Sequence, residues 1–149
     1  MKLLYITPKI NDEGGVQKVL SVRTNYFIEK FGYEISILTQ NGGNVDTFFS
    51  FNSKIELYDM NLKGNKFNIL FQYKKQVLNS IKKVNPDIIV VCDFGLKGFL
   101  IPLLLKSSVP IIFEAHGSLY NESQYYSSNF FTNLSVVAMF SYKNGLKKN

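Results

Sequence analysis

Short unbroken apolar runs alternate along this chain with stretches whose apolar residues return every three or four positions. Leu3-Leu4-Tyr5-Ile6 is the first run, and nothing in it alternates. A strand that is apolar at successive positions is covered on both faces, as the strands of a parallel sheet are. Thr7-Pro8 closes it, because proline donates no hydrogen bond to a ladder. A polar loop over 9–13 and the pair Gly14-Gly15 follow. The spacing then predicts a helix over 16–31, stopped by Gly32. Its inward face reads as Val16, Val19, Leu20, Phe27 and Phe31, with Val22 and Tyr26 beside them. Arg23 falls in the middle of that face, where an arginine needs a partner or a route to water.

The same alternation continues. A second strand is predicted over 34–39, a turn at Asn41-Gly42-Gly43-Asn44, an irregular aromatic-containing loop over 45–53, and a more amphipathic third strand over 54–60. After the break at Gly64-Asn65 comes a helix over 67–84, with Leu70, Val77, Leu78, Ile81 and Val84 inward. Asn85-Pro86 stops it, since the residue before proline avoids the α region. A fourth strand over 87–92, a turn at Asp93-Phe94-Gly95, a short apolar helix over 96–106 and a fifth strand over 110–114 follow. Ala115-His116-Gly117-Ser118 lies at the carboxyl end of that strand. A tyrosine-rich polar stretch over 119–128 and a helical run over 130–142 complete the pattern.

Five strands alternating with helices predict an α/β fold, a doubly wound parallel sheet of Rossmann-like type. At 149 residues the chain reads as one domain. The pattern stops after a helix, where this architecture next places a strand, and is read as truncated. Tyr125, Tyr126, Phe130 and Phe131 are expected to form an exposed apolar surface for the missing part.

Composition narrows the class. With 46% hydrophobic and 19% charged residues the chain is globular rather than disordered. The single cysteine, Cys92, lies in an apolar run, so no disulfide framework exists and a reducing, cytoplasmic compartment is expected. Only four apolar residues follow Lys2, too few for a secretory signal, and the apolar stretch over 99–105 is too short to span a bilayer. The net charge of +6 favours anionic partners. The lysines are scattered and no nucleic-acid motif accompanies them, so nucleic acid is not an expected partner.

The strand-to-helix loops of such a sheet all open on one edge, which gathers Gly14, Gly15, Asp93, Glu114, His116, Gly117 and Ser118. The glycines let a backbone approach a ligand, and the helix start offers free N–H groups to an anion. A plain tight turn would use the same two residues. His116, the only histidine, can exchange a proton or donate a hydrogen bond near neutral pH. No metal-ligand spacing is present. Ser118 lacks a Gly-x-Ser-x-Gly elbow, and the first turn lacks Gly-x-Gly-x-x-Gly, so neither a serine triad nor a nicotinamide site is expected.

Lys2-Leu-Leu-Tyr-Ile-Thr, Gly14-Gly-Val-Gln-Lys-Val-Leu, and Phe31-Gly-Tyr-Glu-Ile-Ser-Ile-Leu-Thr39 resemble the start of family-four, retaining GT-B glycosyltransferases. So do Asn85-Pro-Asp-Ile-Ile-Val-Val-Cys-Asp93 and Val109-Pro-Ile-Ile-Phe-Glu-Ala-His-Gly117. The resemblance implies two Rossmann-like domains, of which 1–149 is the amino-terminal, acceptor-binding one. The missing carboxyl-terminal domain would bind the nucleotide sugar. Gly14 and Gly15 would lie under the donor diphosphate, and His116 would be the catalytic or hydrogen-bonding group at the sugar. Asp93, Glu114, Gly117 and Ser118 are further substrate-binding candidates. Family members often carry a leucine where Arg23 stands and a histidine where Tyr33 stands.

The implied reaction moves a sugar to a glycan or lipid-linked acceptor with retention, in cell-surface or capsular polysaccharide synthesis, without a metal or other cofactor. The isolated chain is expected to be inactive. A peripheral contact with an anionic membrane, at the inner leaflet, is expected from the net basic charge and from the lipid-linked acceptors that related enzymes use. A sugar-nucleotide epimerase of the same two-domain plan and a non-catalytic α/β binding module are the rival readings.

Overall fold

The computed structural model describes residues 1–40, 46–93, 101 and 108–114. Most of the helix expected over 96–106, the one expected over 130–142, and the aromatic residues Tyr125, Tyr126, Phe130 and Phe131 lie outside the described residues. The described elements are β1 (Lys2–Ile6), α1 (Gly15–Phe31), β2 (Glu34–Thr39), β3 (Glu56–Asp59), α2 (Lys66–Val84), β4 (Ile88–Val91) and β5 (Ile111–Phe113). The strands form one sheet in the order β3-β2-β1-β4-β5. Every neighbouring pair is parallel. Leu3 lies between Ile35 and Ile88, and Tyr5 between Ile37 and Val90.

Alternation along the central strands splits the core into two layers. Leu3, Tyr5, Ile35, Ile37, Val90 and Cys92 pack with Leu20 and Ile28 of α1. Leu4, Ile6, Leu38, Ile89 and Val91 pack with Tyr73 and Val77 of α2, and Ile101 joins them. The two helices thus cover opposite faces, and the α/β doubly wound reading holds. Burying a side chain such as Ile6 or Val77 contributes about 1.5–3 kcal/mol.

The third strand is shorter than expected, 56–59 rather than 54–60. It is an edge strand with a single neighbour; Ile55 and Met60, which flank it, are buried, and Met60 N–H still donates to the Thr39 carbonyl at 2.8 Å. The inward face of α1 is also rotated from the expected one. Its buried residues are Leu20, Ser21, Thr24 and Ile28, while Val19, Val22, Tyr26 and Phe31 are exposed. The small polar residues can face inward because they are satisfied there. Thr24 Oγ1 donates to the Leu20 carbonyl at 2.8 Å, and Ser21 Oγ donates to the Ser50 carbonyl at 2.7 Å. Asn25 adds a second tie, donating to the Ser50 carbonyl and accepting from the Asn52 N–H, so the loop after β2 is held on α1.

On α2, Val77 is inward as expected and Leu78, Ile81 and Val84 pack at the margin, but Tyr73 is the largest side chain inserted. Asn65 caps the start of α2 by accepting from the Asn68 N–H at 3.0 Å. Asn85 ends it in the left-handed conformation, φ 47°. Gly32 does the same for α1 at φ 65°.

Candidate functional site

The chain runs outward from β1 to β2 to β3, then returns to place β4 on the other side of β1. In open α/β sheets, ligands bind outside the carboxyl ends of the strands at such a reversal. Here those ends carry Thr7 after β1, Cys92 and Asp93 after β4, and Glu114 after β5.

The loop between β1 and α1 is less polar in its role than in its composition. Ile10 is 1% exposed and belongs to the core layer beneath α1, so it pins the middle of the loop. Thr7 N–H donates to the Leu38 carbonyl, and Gln40 N–H donates to the Pro8 carbonyl at 2.8 Å. Thr7 Oγ1 and Asn11 Oδ1, both in this loop, are buried without a hydrogen-bond partner among the described residues. Buried polar atoms of this kind are rare and call for an explanation.

Gly14 is the N-cap of α1 and makes no side-chain cap, nor does the first turn hold an acidic residue. The N–H groups of the first turn have no intrahelical acceptor. Both glycines have ordinary backbone angles: Gly14 sits at φ −71°, ψ 160°, and only Gly32 and Gly64 have positive φ among the described glycines. A Cβ on Gly14 would meet the end of the flexible Gln17 side chain, and a Cβ on Gly15 would meet nothing within 4 Å. The backbone therefore demands glycine at neither position.

Asp93 is buried at the reversal point, where its carboxylate accepts from Gln40 Nε2 at 3.4 Å, joining the ends of β2 and β4 over β1. Tyr73 lies near enough that burial, with the Asp93 charge added, pushes its phenol well above the ordinary value. Glu114 is engaged within the fold. It accepts from Arg23 Nη1 in an ion pair, and Cys92 Sγ donates to its other oxygen at 3.5 Å. Arg23 has both the partner and the route to water its position required, since its side chain keeps 34% exposure. Burial first, then the Glu114 charge, pushes the Cys92 thiol far up, so it is a packed, protonated group. Burial and Glu114, opposed by Arg23, push the Tyr5 phenol up to about 12.

The structure thus brings Gly14, Gly15, Asp93 and Glu114 to one edge of the sheet. His116, Gly117 and Ser118 lie outside the described residues. Sequence reasoning missed Ile10, Thr7 and Gln40 as parts of this edge, although each stands at or just past a strand end. At the opposite, amino edge lies a depression of about 340 Å³ lined by Lys2, Glu34, Lys54, Glu56 and Lys83. Its three lysines outnumber its two glutamates, with Lys2 paired to Glu34 at 3.2 Å, and Glu56 accepts from Ser36 and Tyr58. Among the described residues no group of three or more His, Cys, Asp or Glu could hold a metal ion.

No family model and no curated protein matches the chain. Solved structures share its fold. A UDP-GlcNAc 2-epimerase from Neisseria meningitidis bound to UDP-GlcNAc superposes over 93% of this chain with a TM-score of 0.56 and 15% identity. A glycosyltransferase from Rickettsia africae ESF-5 superposes over 85% with a TM-score of 0.51 and 16% identity. The chain spans 38% and 33% of those two proteins. At such identity the likeness concerns the fold, which is a GT-B-like, Rossmann-like α/β domain.

Proposed function

We propose that the chain is the amino-terminal, acceptor-side domain of a GT-B glycosyltransferase that draws on a nucleotide sugar. The observation that carries this reading is the start of α1. It is uncapped and free of acidic side chains, and it opens with two glycines that the backbone does not require. A donor diphosphate laid there would be met by backbone N–H groups and by the positive end of the helix dipole. The two buried polar atoms of the preceding loop, Thr7 Oγ1 and Asn11 Oδ1, are further groups a ligand could satisfy.

In this reading a second domain supplies the rest of the nucleotide-sugar site. The acceptor is a glycan or a lipid-linked sugar of a cell-surface or capsular polysaccharide, and the protein works in the cytoplasm at the inner leaflet. Transfer proceeds with retention, and charge developing on the leaving diphosphate is met by N–H donors rather than by a metal. His116 serves at the sugar as a hydrogen-bonding or catalytic group. Asp93, Gly117 and Ser118 complete the substrate contacts. Glu114, tied to Arg23, fixes the chain two residues ahead of His116.

A second reading, a sugar-nucleotide epimerase, is favoured by the epimerase superposition with its TM-score of 0.56. One assay separates the two. The protein joined to its second domain is given labelled UDP-GlcNAc and other nucleotide sugars, with and without acceptor glycans. Label in the acceptor supports transfer, and epimerised nucleotide sugar alone supports the rival. Neither product, from a protein that melts cooperatively, removes both. His116→Ala in the active form should lower turnover strongly and leave the melting midpoint within about ±0.5 kcal/mol of stability.

A further inference from the structure

The amino-edge depression is set apart from the carboxyl edge by the length of the strands, roughly 15 Å for the five residues of β1. Its volume of about 340 Å³ falls within the range of small-ligand sites, about 300–1,000 Å³. One wall is aromatic. Tyr33, half-buried, stacks on Phe31 with ring centroids 5.4 Å apart and planes 28° apart. Phe27 packs against both, 5.7 Å from Tyr33 and 6.2 Å from Phe31, so the Tyr33 ring is held in place. The other wall is charged, and its groups are only partly used. Glu34 is paired through one oxygen to Lys2, and Glu56 accepts from Ser36 Oγ at 3.3 Å and from the Tyr58 hydroxyl at 2.6 Å. A carboxylate has about four acceptor positions, so each keeps room for a further donor. Lys54 and Lys83 form no ion pair among the described residues, and Lys83 lies over the Tyr58 ring at 4.4 Å.

Donors and acceptors thus stand side by side next to an aromatic ring, with one positive charge in excess. That combination selects among ligands. A phosphate or a nucleotide would use the lysines, but it would bring two or more negative charges against Glu34 and Glu56. Both long helices also end here, at Gly32 and Val84, and their dipoles turn negative ends toward the depression. A neutral sugar would suit the ring and the glutamates and leave the excess lysine charge unanswered. A sugar with a single carboxylate answers every wall. Its hydroxyls both donate and accept, its C–H face packs on an aromatic ring, and its one charge balances the one in excess.

We infer that the amino-edge depression is a binding site for an acidic sugar unit, one that carries a single carboxylate as a uronate does. Tyr33 lies against the sugar ring, Glu34 and Glu56 accept from its hydroxyls, and Lys54 and Lys83 meet its carboxylate. The site shares no residue with the carboxyl edge and holds whether or not the transferase reading does. Beside a glycan-building activity at that edge, it would retain a length of acidic chain on the far side of the domain.

The test is calorimetric titration of the chain, at low and physiological salt, with short oligosaccharides of glucuronate, galacturonate and N-acetylneuraminate. A neutral chitin oligosaccharide, UMP and inorganic phosphate are the comparisons. No nucleotide sugar is present, so the outcome does not depend on transfer or epimerisation. At least one acidic saccharide should bind, more tightly than the neutral one, and its binding should weaken with salt. Lys54→Gln with Lys83→Gln should lower that affinity by about tenfold, as should Tyr33→Ala. Both lysines are exposed, so the melting midpoint of the pair should hold, and Tyr33→Phe, which keeps the ring, should still bind. Lys63→Gln with Lys66→Gln, at the other end of α2, should leave affinity unchanged. Glu56→Gln decides by its sign: it should weaken a saccharide that donates to the carboxylate, whereas a site for bare anions would gain from the lost charge. The inference is overturned if none of the acidic saccharides binds or if the neutral one binds as tightly. It is overturned equally if phosphate or UMP binds more tightly than all three, if Glu56→Gln strengthens saccharide binding, or if the Lys54 and Lys83 pair can be changed without effect.

Discussion

Gly15→Ala separates what the fold needs at the start of α1 from what a ligand needs. Glycine in a helix interior is less favourable than alanine by roughly 0.8–1.0 kcal/mol, mostly because it has more freedom to lose. Gly15 is the first residue of α1, so the gain there should be smaller, from a few tenths to about 1 kcal/mol. Nothing opposes it: the added Cβ meets no atom within 4 Å, and the backbone is not in a glycine-only region. For a domain of this size about 1 kcal/mol moves the melting midpoint by roughly 2–4 °C, so a rise of about 1–4 °C is expected. If a diphosphate approaches the same backbone, the methyl group occupies its path. UDP-GlcNAc binding by the protein with both domains should then weaken by about tenfold, which is about 1.4 kcal/mol. Calorimetric melting and titration on one preparation read both effects. A lowered midpoint would refute the steric argument, and a raised midpoint with unchanged affinity would remove the α1 start from the site. Gly14→Ala is the companion variant; its methyl displaces only the flexible end of Gln17, so its stability should stay within about ±0.5 kcal/mol.

Ile10→Ala should cost about 2–5 kcal/mol in urea unfolding, because the side chain is buried beneath α1; a cost near zero would mean the loop is not pinned. A double-mutant cycle of Arg23→Met and Glu114→Gln should give a coupling of about 1 kcal/mol that falls with salt, since both side chains retain contact with water; zero coupling at low salt would count against the pair as a link between α1 and β5. Stability should fall at alkaline pH. Tyr5 is raised from 10.0 to about 12 and Cys92 is raised from 9.0, so the folded state holds both protons more tightly than the unfolded chain. The stability is therefore whole below about pH 9 and is lost as pH rises toward 12, by up to about 1.4 kcal/mol per pH unit for each group. Tyr5→Phe should flatten the slope from pH 10 upward, and a melting midpoint that ignores pH across that range would refute the assignment.

How far each feature could be read in advance depended on whether its cause was local. β2 is found where its apolar run places it, and the other strands differ from their runs by a residue or two at the ends, because a strand buried on both faces leaves an unbroken mark. The end of α2 was legible for the same kind of reason: Asn85-Pro86 is a stop in itself. The face of α1 was not. Apolar spacing pointed to Val19 and Phe31, whereas the helix turns Ser21 and Thr24 inward, and only the partners Ser50 and Leu20 make that affordable. Ile10 escaped because a single apolar residue among polar ones has no period.

Arg23 shows the boundary most clearly, and it bears on the site. A lone charge on a helix face announces that a partner is needed but not which one. The partner, Glu114, stands 91 residues away, beyond any pattern of spacing. Once the sheet order places β5 beside β4, the pairing has a consequence that neither residue carries alone. Glu114 is the last described residue before the segment that holds His116, and its carboxylate is held from one side by Arg23 and from beneath by Cys92. The end of β5 is thus fixed to α1, the helix whose first turn is the proposed anion site. If His116 acts there, the Arg23–Glu114 pair sets where its segment leaves the sheet. Arg23 is then a positioning residue. Arg23→Met should lower turnover by more than its loss of stability explains, and Arg23→Lys should recover part of it. Turnover that tracks only the folded fraction would leave the pair a structural tie and nothing more.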